Sequence, residues 1–266
     1  HEYDDPSNRR FHAQPDACFE CGPQLGFVDC FCEKQGVPYG QKLDLSLISW
    51  ASNREESDAF IARAVEILRE GGIVAVKGLG GYHLVCDAAN EEALQTLRQR
   101  KRREGKAFAV MLSSLDEAKE YCFVNKAEEE QLTSPARPIV LLKKKPEVVF
   151  AHGLADDLPE LGVMLPATPL QYLLLHDFGG MLVMTSGNVH DEPIVTTEKE
   201  ALTKLHSIAD AFLVHNRDIE SRYDDSVVRV LSLCEGAVAT KACKQDENTL
   251  ILQVIRRARG LAPMPL

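Results

Sequence analysis

Apolar runs of strand length alternate with segments of helical periodicity along most of this chain, and that interleaving confines it to the α/β class. The helix-like stretches are ESDAFIARAVEILREGG (56–72), NEEALQTLRQRKRR (90–103), a segment starting near Ser114, TPLQYLLLHDF (168–178) and EKEALTKLHSIAD (198–210). In the first, Phe60, Ala64, Ile67 and Leu68 share one face, and Gly71–Gly72 ends it. Asn90 is placed to cap the second, with acid in its first turn, and Ser113 or Ser114 to cap the third. Between them lie IVAVKGLGGYHLVCD (73–87), which breaks at Gly78, Gly80 and Gly81, then KAFAVML, RPIVLLKKK, MLVMTSG, AFLVHNR and SVVRVL. AVATKAC and LILQVIRRARG read as short β-rich pieces near the end.

A chain of 266 residues can bury one large core with a small satellite. The satellite is expected at the N-terminus, where HEYDDPSNRRFHAQPDACFECGPQL is polar and turn-rich. Its ACFECG is a C-x-x-C knuckle, so Cys18 and Cys21 form a zinc half-site. Cys30 with Cys32, His12, or a pair upstream of His1 are the candidates for the remaining ligands. The sequence starts in mid-pattern at His1 and reads as a piece of something longer. The other cysteines are scattered, which fits a reducing compartment better than a disulfide scaffold. No apolar run reaches the ~20 residues of a membrane span. The net charge of −10 argues against general nucleic-acid binding. It does not exclude a nucleotide, because charges are screened within about 8 Å at physiological salt and local clusters dominate.

Such a cluster exists. From Arg100 to Lys106, RKRREGK gathers five cations in seven residues ahead of an apolar run. Taken alone it fits a solvated helix end better than a ligand grip, and consecutive helical residues at about 100° intervals cannot all face one ligand. Lys106, beyond Gly105, escapes that argument. KGLGGYH is neither a Walker loop nor a dinucleotide fingerprint, but it sets Lys77 at a strand's carboxyl end, where open α/β sheets bind ligands. MTSGNVHDEP repeats that layout with Thr185, Ser186 and Asn188, hydroxyl and amide groups suited to phosphate oxygens or to a plain turn. HNRDIESRYDDSVVR crowds Arg217, Arg222, Asp224 and Asp225 between two strands, either a salt-bridged surface or the wall of a polyanion site with Mg²⁺ held by phosphates and one carboxylate. No residue order points to a covalent nucleophile.

VKGLGGYHLVCDA, RKRREGKAFAVML, SPARPIVLL, LGVMLPATPLQYLLL, LVMTSGNVHDEPI, ADAFLVHNRDIESRYDDSVVR and IRRARGLAP together resemble the YrdC-like domain of HypF, the hydrogenase-maturation carbamoyltransferases. EYDDPSNRRFHAQPDACFECGP resembles the end of that family's second zinc finger. The resemblance implies an open, twisted mixed sheet flanked by helices, residues 53–266, after a partial finger and linker, residues 1–50. In that family an upstream C-x-x-C completes the finger, so Zn²⁺ at Cys18 and Cys21 would be poorly held here, and Cys30 and Cys32 fall outside the pattern. The implied chemistry joins ATP to carbamate derived from carbamoyl phosphate, giving carbamoyl-adenylate. Acylphosphatase and transferase domains elsewhere in such proteins supply carbamate and pass the carbamoyl group to a HypE-type acceptor. Lys77, Lys101 and Arg103 would be catalytic: Lys101 and Arg103, with Lys106, on phosphates, and Lys77 at the carbamoyl end. Tyr82 would line the carbamoyl end, Ser134, Thr185, Ser186 and Asn188 the adenylate, and Arg217 and Arg222 would close the pocket. The implied location is the cytoplasm, without DNA, RNA or membrane partners. Glu104 replaces the family's usual proline, and His190–Asp191 its frequent Ser-Gly. The alternatives are a threonylcarbamoyl-adenylate synthase, whose threonine-rich motif KGLGGYH lacks, and a nucleotide- or RNA-binding module without catalysis.

Overall fold

The computed structural model describes residues 22–30, 44–103, 105–190, 192–232 and 250–263. The zinc-ligand candidates Cys18 and Cys21, the departure at Glu104 and the β-rich reading of AVATKAC lie outside them.

In chain order the elements are β1 (Leu25–Asp29), a 3-10 turn (Leu45–Leu47), β2 (Ser49–Trp50), α1 (Arg54–Arg69), β3 (Val74–Lys77), β4 (Tyr82–Asp87), α2 (Glu91–Lys101), β5 (Ala109–Met111) and α3 (Leu115–Tyr121). Then follow α4 (Lys126–Thr133), β6 (Ile139–Lys143), β7 (Glu160–Met164), α5 (Pro169–Phe178), β8 (Leu182–Ser186), α6 (Glu198–Lys204), β9 (Ala211–His215), β10 (Val227–Ser232) and β11 (Leu250–Arg256). The strands form one mixed, open sheet in the order β11-β10-β6-β7-β5-β8-β4-β3-β9-β1-β2. Neighbours are parallel at β10/β6, β5/β7 and β3/β9, and antiparallel elsewhere. β1 and β2 carry the sheet into residues ahead of position 53.

Alternation along the central strands divides the core in two. Ala75, Leu84, Cys86 and Val183 face one side, where Leu94 and Leu97 of α2, Ala118 of α3, Leu132 of α4 and Leu202 of α6 cover them. Val74, Val76, Val85 and Met184 face the other, under Ile61, Val65, Ile67 and Leu68 of α1 and Leu174 of α5. Buried on both faces, β3 and β4 read in sequence as continuous apolar runs rather than alternating ones. Phe60 belongs to the α1 stripe only at its edge, stacked on Phe27 at 5.7 Å between ring centroids. Every α-helix begins at a side-chain cap: Asn53, Asn90, Ser114, Asn125, Thr168 or Thr197 accepts from a first-turn amide. Each such cap is worth about 1 kcal/mol.

The sheet is strongly curled. Four strands separate β10 from β4 in the sheet order, which would put them some ~24 Å apart if flat. Yet Asp225, two residues before β10, bonds to His83 of β4 at 2.9 Å. Right-handed twist folds the two halves toward each other, and the loops at the folded edge surround the candidate site.

Candidate functional site

The C-terminal turn of α2 begins it. Ala93, Leu94 and Leu97 dock the helix on the sheet, and one turn further the same stripe buries Lys101, only 5% exposed. Its ammonium donates to the main-chain oxygen of Ser186, to Asn188 Oδ1 at 2.8 Å and to Asn188 O at 3.3 Å. Arg102 ends the helix in the left-handed region, φ 51°, where glycine is the usual choice, and points to solvent. The reversal it imposes turns Arg103 back onto the sheet. That guanidinium donates to Thr185 Oγ1 at 3.3 Å and Ala107 O at 2.7 Å, and lies 5.1 Å from the Phe108 ring centre. The run of cations is thus neither a uniform helix face nor a solvated end: the break at Arg102 lets Lys101 and Arg103 converge.

The receiving turn is equally fixed. Gly187 donates to Tyr82 O at 2.6 Å, and a Cβ there would meet the Tyr82 carbonyl at 2.7–2.8 Å. Ser186 Oγ donates to Asn188 Oδ1, and Asn188 Nδ2 to Glu192 O, each at 2.8 Å. Thr185, Ser186 and Asn188 therefore stand with Lys101 and Arg103 in one group.

Electrostatics mark the group as anion-seeking. Burial above all, with the Arg103 and Lys106 charges, pushes Lys101 down to about 7 against the opposing pull of Asp224. Burial, with the nearby charges of Arg98 and Arg256, lowers Arg103 to about 10. A bound anion would relieve this crowding. Arg103 and Ala107 also line an open cavity of about 710 Å³ with Arg98, Arg102, His152 and Asp156.

Lys77 and Tyr82 pair across β3 and β4; β4 adjoins β8, so Tyr82 is one strand from Ser186 and bonded to Gly187 through its carbonyl, whereas Lys77 is two strands away, about 10 Å by strand spacing. Lys77 is fully buried, its ammonium paired with Glu198 and donating to His215 O at 3.0 Å. Tyr82 is equally buried, its hydroxyl without a partner among the described residues. Burial and the Glu198 charge hold that phenol well above its ordinary range. Burial and Lys77 lower the His215 imidazole.

The remaining candidates stand apart. Lys106 is exposed but close enough to depress Lys101. Ser134 caps α4, its hydroxyl donating to Gln131 O at 2.8 Å. Arg222 pairs with Glu200 at 3.6 Å, and Arg217 is exposed. Cys30 donates its amide to Asp210 O, and burial with the Asp29 and Asp210 charges pushes its thiol up to about 12. Among the described residues no three of His, Cys, Asp or Glu gather as a metal site. Sequence reading passed over Glu198, which neutralises Lys77, and Arg256, beside Arg103. Their only signals were the first turn of a helix and the arginines of IRRARG.

Comparison with known proteins fits this geometry. Residues 66–237 match the Sua5/YciO/YrdC family, described as telomere recombination, and residues 1–28 match the HypF finger. Carbamoyltransferase HypF of Rhodobacter capsulatus is 47% identical over 262 residues, 98% of this chain and 30% of that protein. The crystal structure of full-length HypF in the phosphate- and nucleotide-bound form superposes with a TM-score of 0.77 at 47% identity, over 98% of this chain and 29% of that one. Escherichia coli YciO shares the fold at a TM-score of 0.59 and 22% identity, over 75% of this chain and 89% of its own. The chain therefore spans 25–30% of the length of the HypF relatives it matches. With more than half of its residues matched, it belongs to the Sua5/YciO/YrdC family.

Proposed function

We propose that this chain is the carbamoyl-adenylate-forming region of a HypF-type carbamoyltransferase. The observation that carries the reading is the convergence of Lys101 and Arg103 on Thr185, Ser186 and Asn188. Buried cations with depressed proton affinity, held beside hydroxyl and amide groups, suit a polyphosphate. The relative crystallised with phosphate and nucleotide, 47% identical, supports the same ligand class.

In the proposed reaction a carbamate oxygen attacks the α-phosphorus of ATP. The bond from that phosphorus to the bridging oxygen breaks, and pyrophosphate leaves with the electron pair. Positioning and charge neutralisation are what such a step needs. Lys101 and Arg103 hold the phosphates, each charge-assisted bond contributing about 1.5–3 kcal/mol. Lys106 and Arg256 add to the field, and the Ser186–Asn188 turn orients the α-phosphate. Lys77 and Tyr82 belong to the carbamoyl end, and for Lys77 to reach substrate its pair with Glu198 must open. The carbamoyl group then goes to a HypE-type acceptor through a transferase domain, on the way to hydrogenase maturation in the cytoplasm. Mg²⁺ would travel with the nucleotide, and Zn²⁺ would use Cys18 and Cys21 with a pair supplied upstream.

Pyrophosphate release tests this. With ATP, Mg²⁺ and carbamate from equilibrated ammonium bicarbonate, the chain should release pyrophosphate, and Lys101→Met should release at least tenfold less. Release that depends on threonine would replace the reading with threonylcarbamoyl-adenylate synthesis. Nucleotide binding without release under either condition would replace it with a binding module.

A further inference from the structure

IRRARG, prominent in the sequence, touches none of the groups given a role so far except through Arg256. Two of its arginines meet a largely buried charge cluster on the folded edge of the sheet. Asp225 accepts from His83 Nε2 at 2.9 Å and from Arg259 Nε at 3.0 Å, with the Arg259 Nη2 charge 2.9 Å from the same carboxylate. The Asp225 and Arg259 side chains are 13% and 12% exposed. Arg259 also donates to Arg137 O at 2.8 Å, next to the turn that Ser134 begins. Burial alone would raise the Asp225 carboxyl, but His83 and Arg259 hold it far below the usual carboxylate range.

The backbone repeats the connection. Ser226, fully buried, donates its hydroxyl to Arg259 O and accepts from Ala258 N, both at 2.9 Å. Gly260, φ 75°, comes so close to Ala136 that a Cβ would lie 2.5 Å from it. On the other side, Tyr223 donates its amide to Gly80 O at 3.1 Å, and its ring fills the space a Gly80 side chain would take. The tail after β11, the Ser134–Arg137 turn and the glycine turn following Lys77 are thereby joined through Asp225 and Arg259. Arg256 takes its bearing from the same place, its Nε donating to Asp225 O at 2.8 Å.

We infer that Arg259 is a positioning residue: locked between the Asp225 carboxylate and the Arg137 carbonyl, it straps the tail across the curled sheet so that Arg256 stands beside Arg103 at the phosphate end. The inference rests on the proposed nucleotide site, and goes beyond it in assigning the tail a part in building that site. Arg259 itself contacts no substrate. Its removal should loosen the tail and the glycine turn together and weaken nucleotide binding while leaving the α1 side of the core intact.

The test uses Arg259→Ala and Arg259→Lys in this chain, with two independent readouts. In hydrogen exchange, Arg259→Ala should speed the amides of Ala258, Arg259 and Tyr223 at least tenfold, with those of β3 and α1 unchanged. In binding to a fluorescent ATP analogue, it should raise Kd at least tenfold, and millimolar guanidinium should restore part of the loss. Arg259→Lys should fall between. Unchanged exchange overturns the strap. Faster exchange with unaltered Kd overturns its link to the site. Wild-type chain that binds no nucleotide overturns the functional reading instead, and the exchange result still decides whether Arg259 holds the tail.

Discussion

Lys101 carries the sharpest consequence for a single side chain. Its folded value of about 7 lies below the ordinary 10.5, so between those limits the unfolded chain holds a proton the folded chain has lost. Stability therefore rises with pH across that window. An anion needs the charged lysine, so affinity should run the opposite way. From pH 7.5 to 9.5, where nucleotide phosphates are already fully ionised, affinity for an ATP analogue should fall several-fold, and titrations of Lys101→Met should be nearly flat. A second residue-scale outcome concerns Lys77. Glu198→Ala leaves its ammonium buried without its carboxylate, and losing one partner of a buried pair costs about 3–5 kcal/mol. Chemical denaturation should register that loss, with Glu198→Gln losing less. Lys101, Arg103, Thr185, Ser186 and Asn188 are marked as candidates through the family resemblance, since the run at the end of α2 and the turn after β8 read alone as a plain helix end and a plain turn. Glu198 was not, because an acid in a helix's first turn looks like an answer to the dipole. Arg102 was not, because nothing in its side chain announces a left-handed backbone.

Among the elements, those legible in advance had either unbroken apolar runs or clear caps: β3, β4, β8 and β9 on the first count, α2 and α3 on the second. Four carry weaker signals: β1, β2, β7 and α4. β1 and β2 lie between the polar N-terminal stretch and residue 53, where no pattern marks an element. β7 is short and interrupted by Gly162. α4 buries little beyond Leu132, so periodicity is faint, although its Asn125–Glu128 capping box was there to be seen. The 73–87 run proved to be a hairpin, because the glycines permit a turn tight enough for β4 to return beside β3. The junction of that hairpin with β8 is where an element-scale change should hurt most. Gly187→Ala would drive a methyl into the Tyr82 carbonyl at 2.7 Å, and backbone cannot step aside as a side chain can. A loss of about 1–3 kcal/mol is expected, or about 2–12 °C in melting temperature for a chain of this size. Nucleotide affinity should decline with it, since the same glycine sets the Ser186–Asn188 turn.

At the scale of the whole molecule, curling of the sheet explains how an acidic protein builds a cationic site. The chain carries a net charge of −10, yet Lys101, Arg103 and Lys106 share one short run, and Arg256, some 150 residues further along, joins them because the two halves of the sheet fold together. None of this long-range assembly shows in local sequence patterns, which is why motifs could mark the candidates but not their grouping. A ligand spanning those segments should act as a clamp on the whole fold. Binding only the native state, a nucleotide at 100 times its Kd adds about 2.7 kcal/mol, or about 5–11 °C in melting temperature. Arg103→Ala should remove most of that shift while changing the unliganded melt far less. Raising the salt from 50 to 500 mM should shrink it as well, because attraction by an exposed part of the cluster is screened. A shift that survived both Arg103→Ala and high salt would place the nucleotide elsewhere on the molecule and detach the cationic group from it.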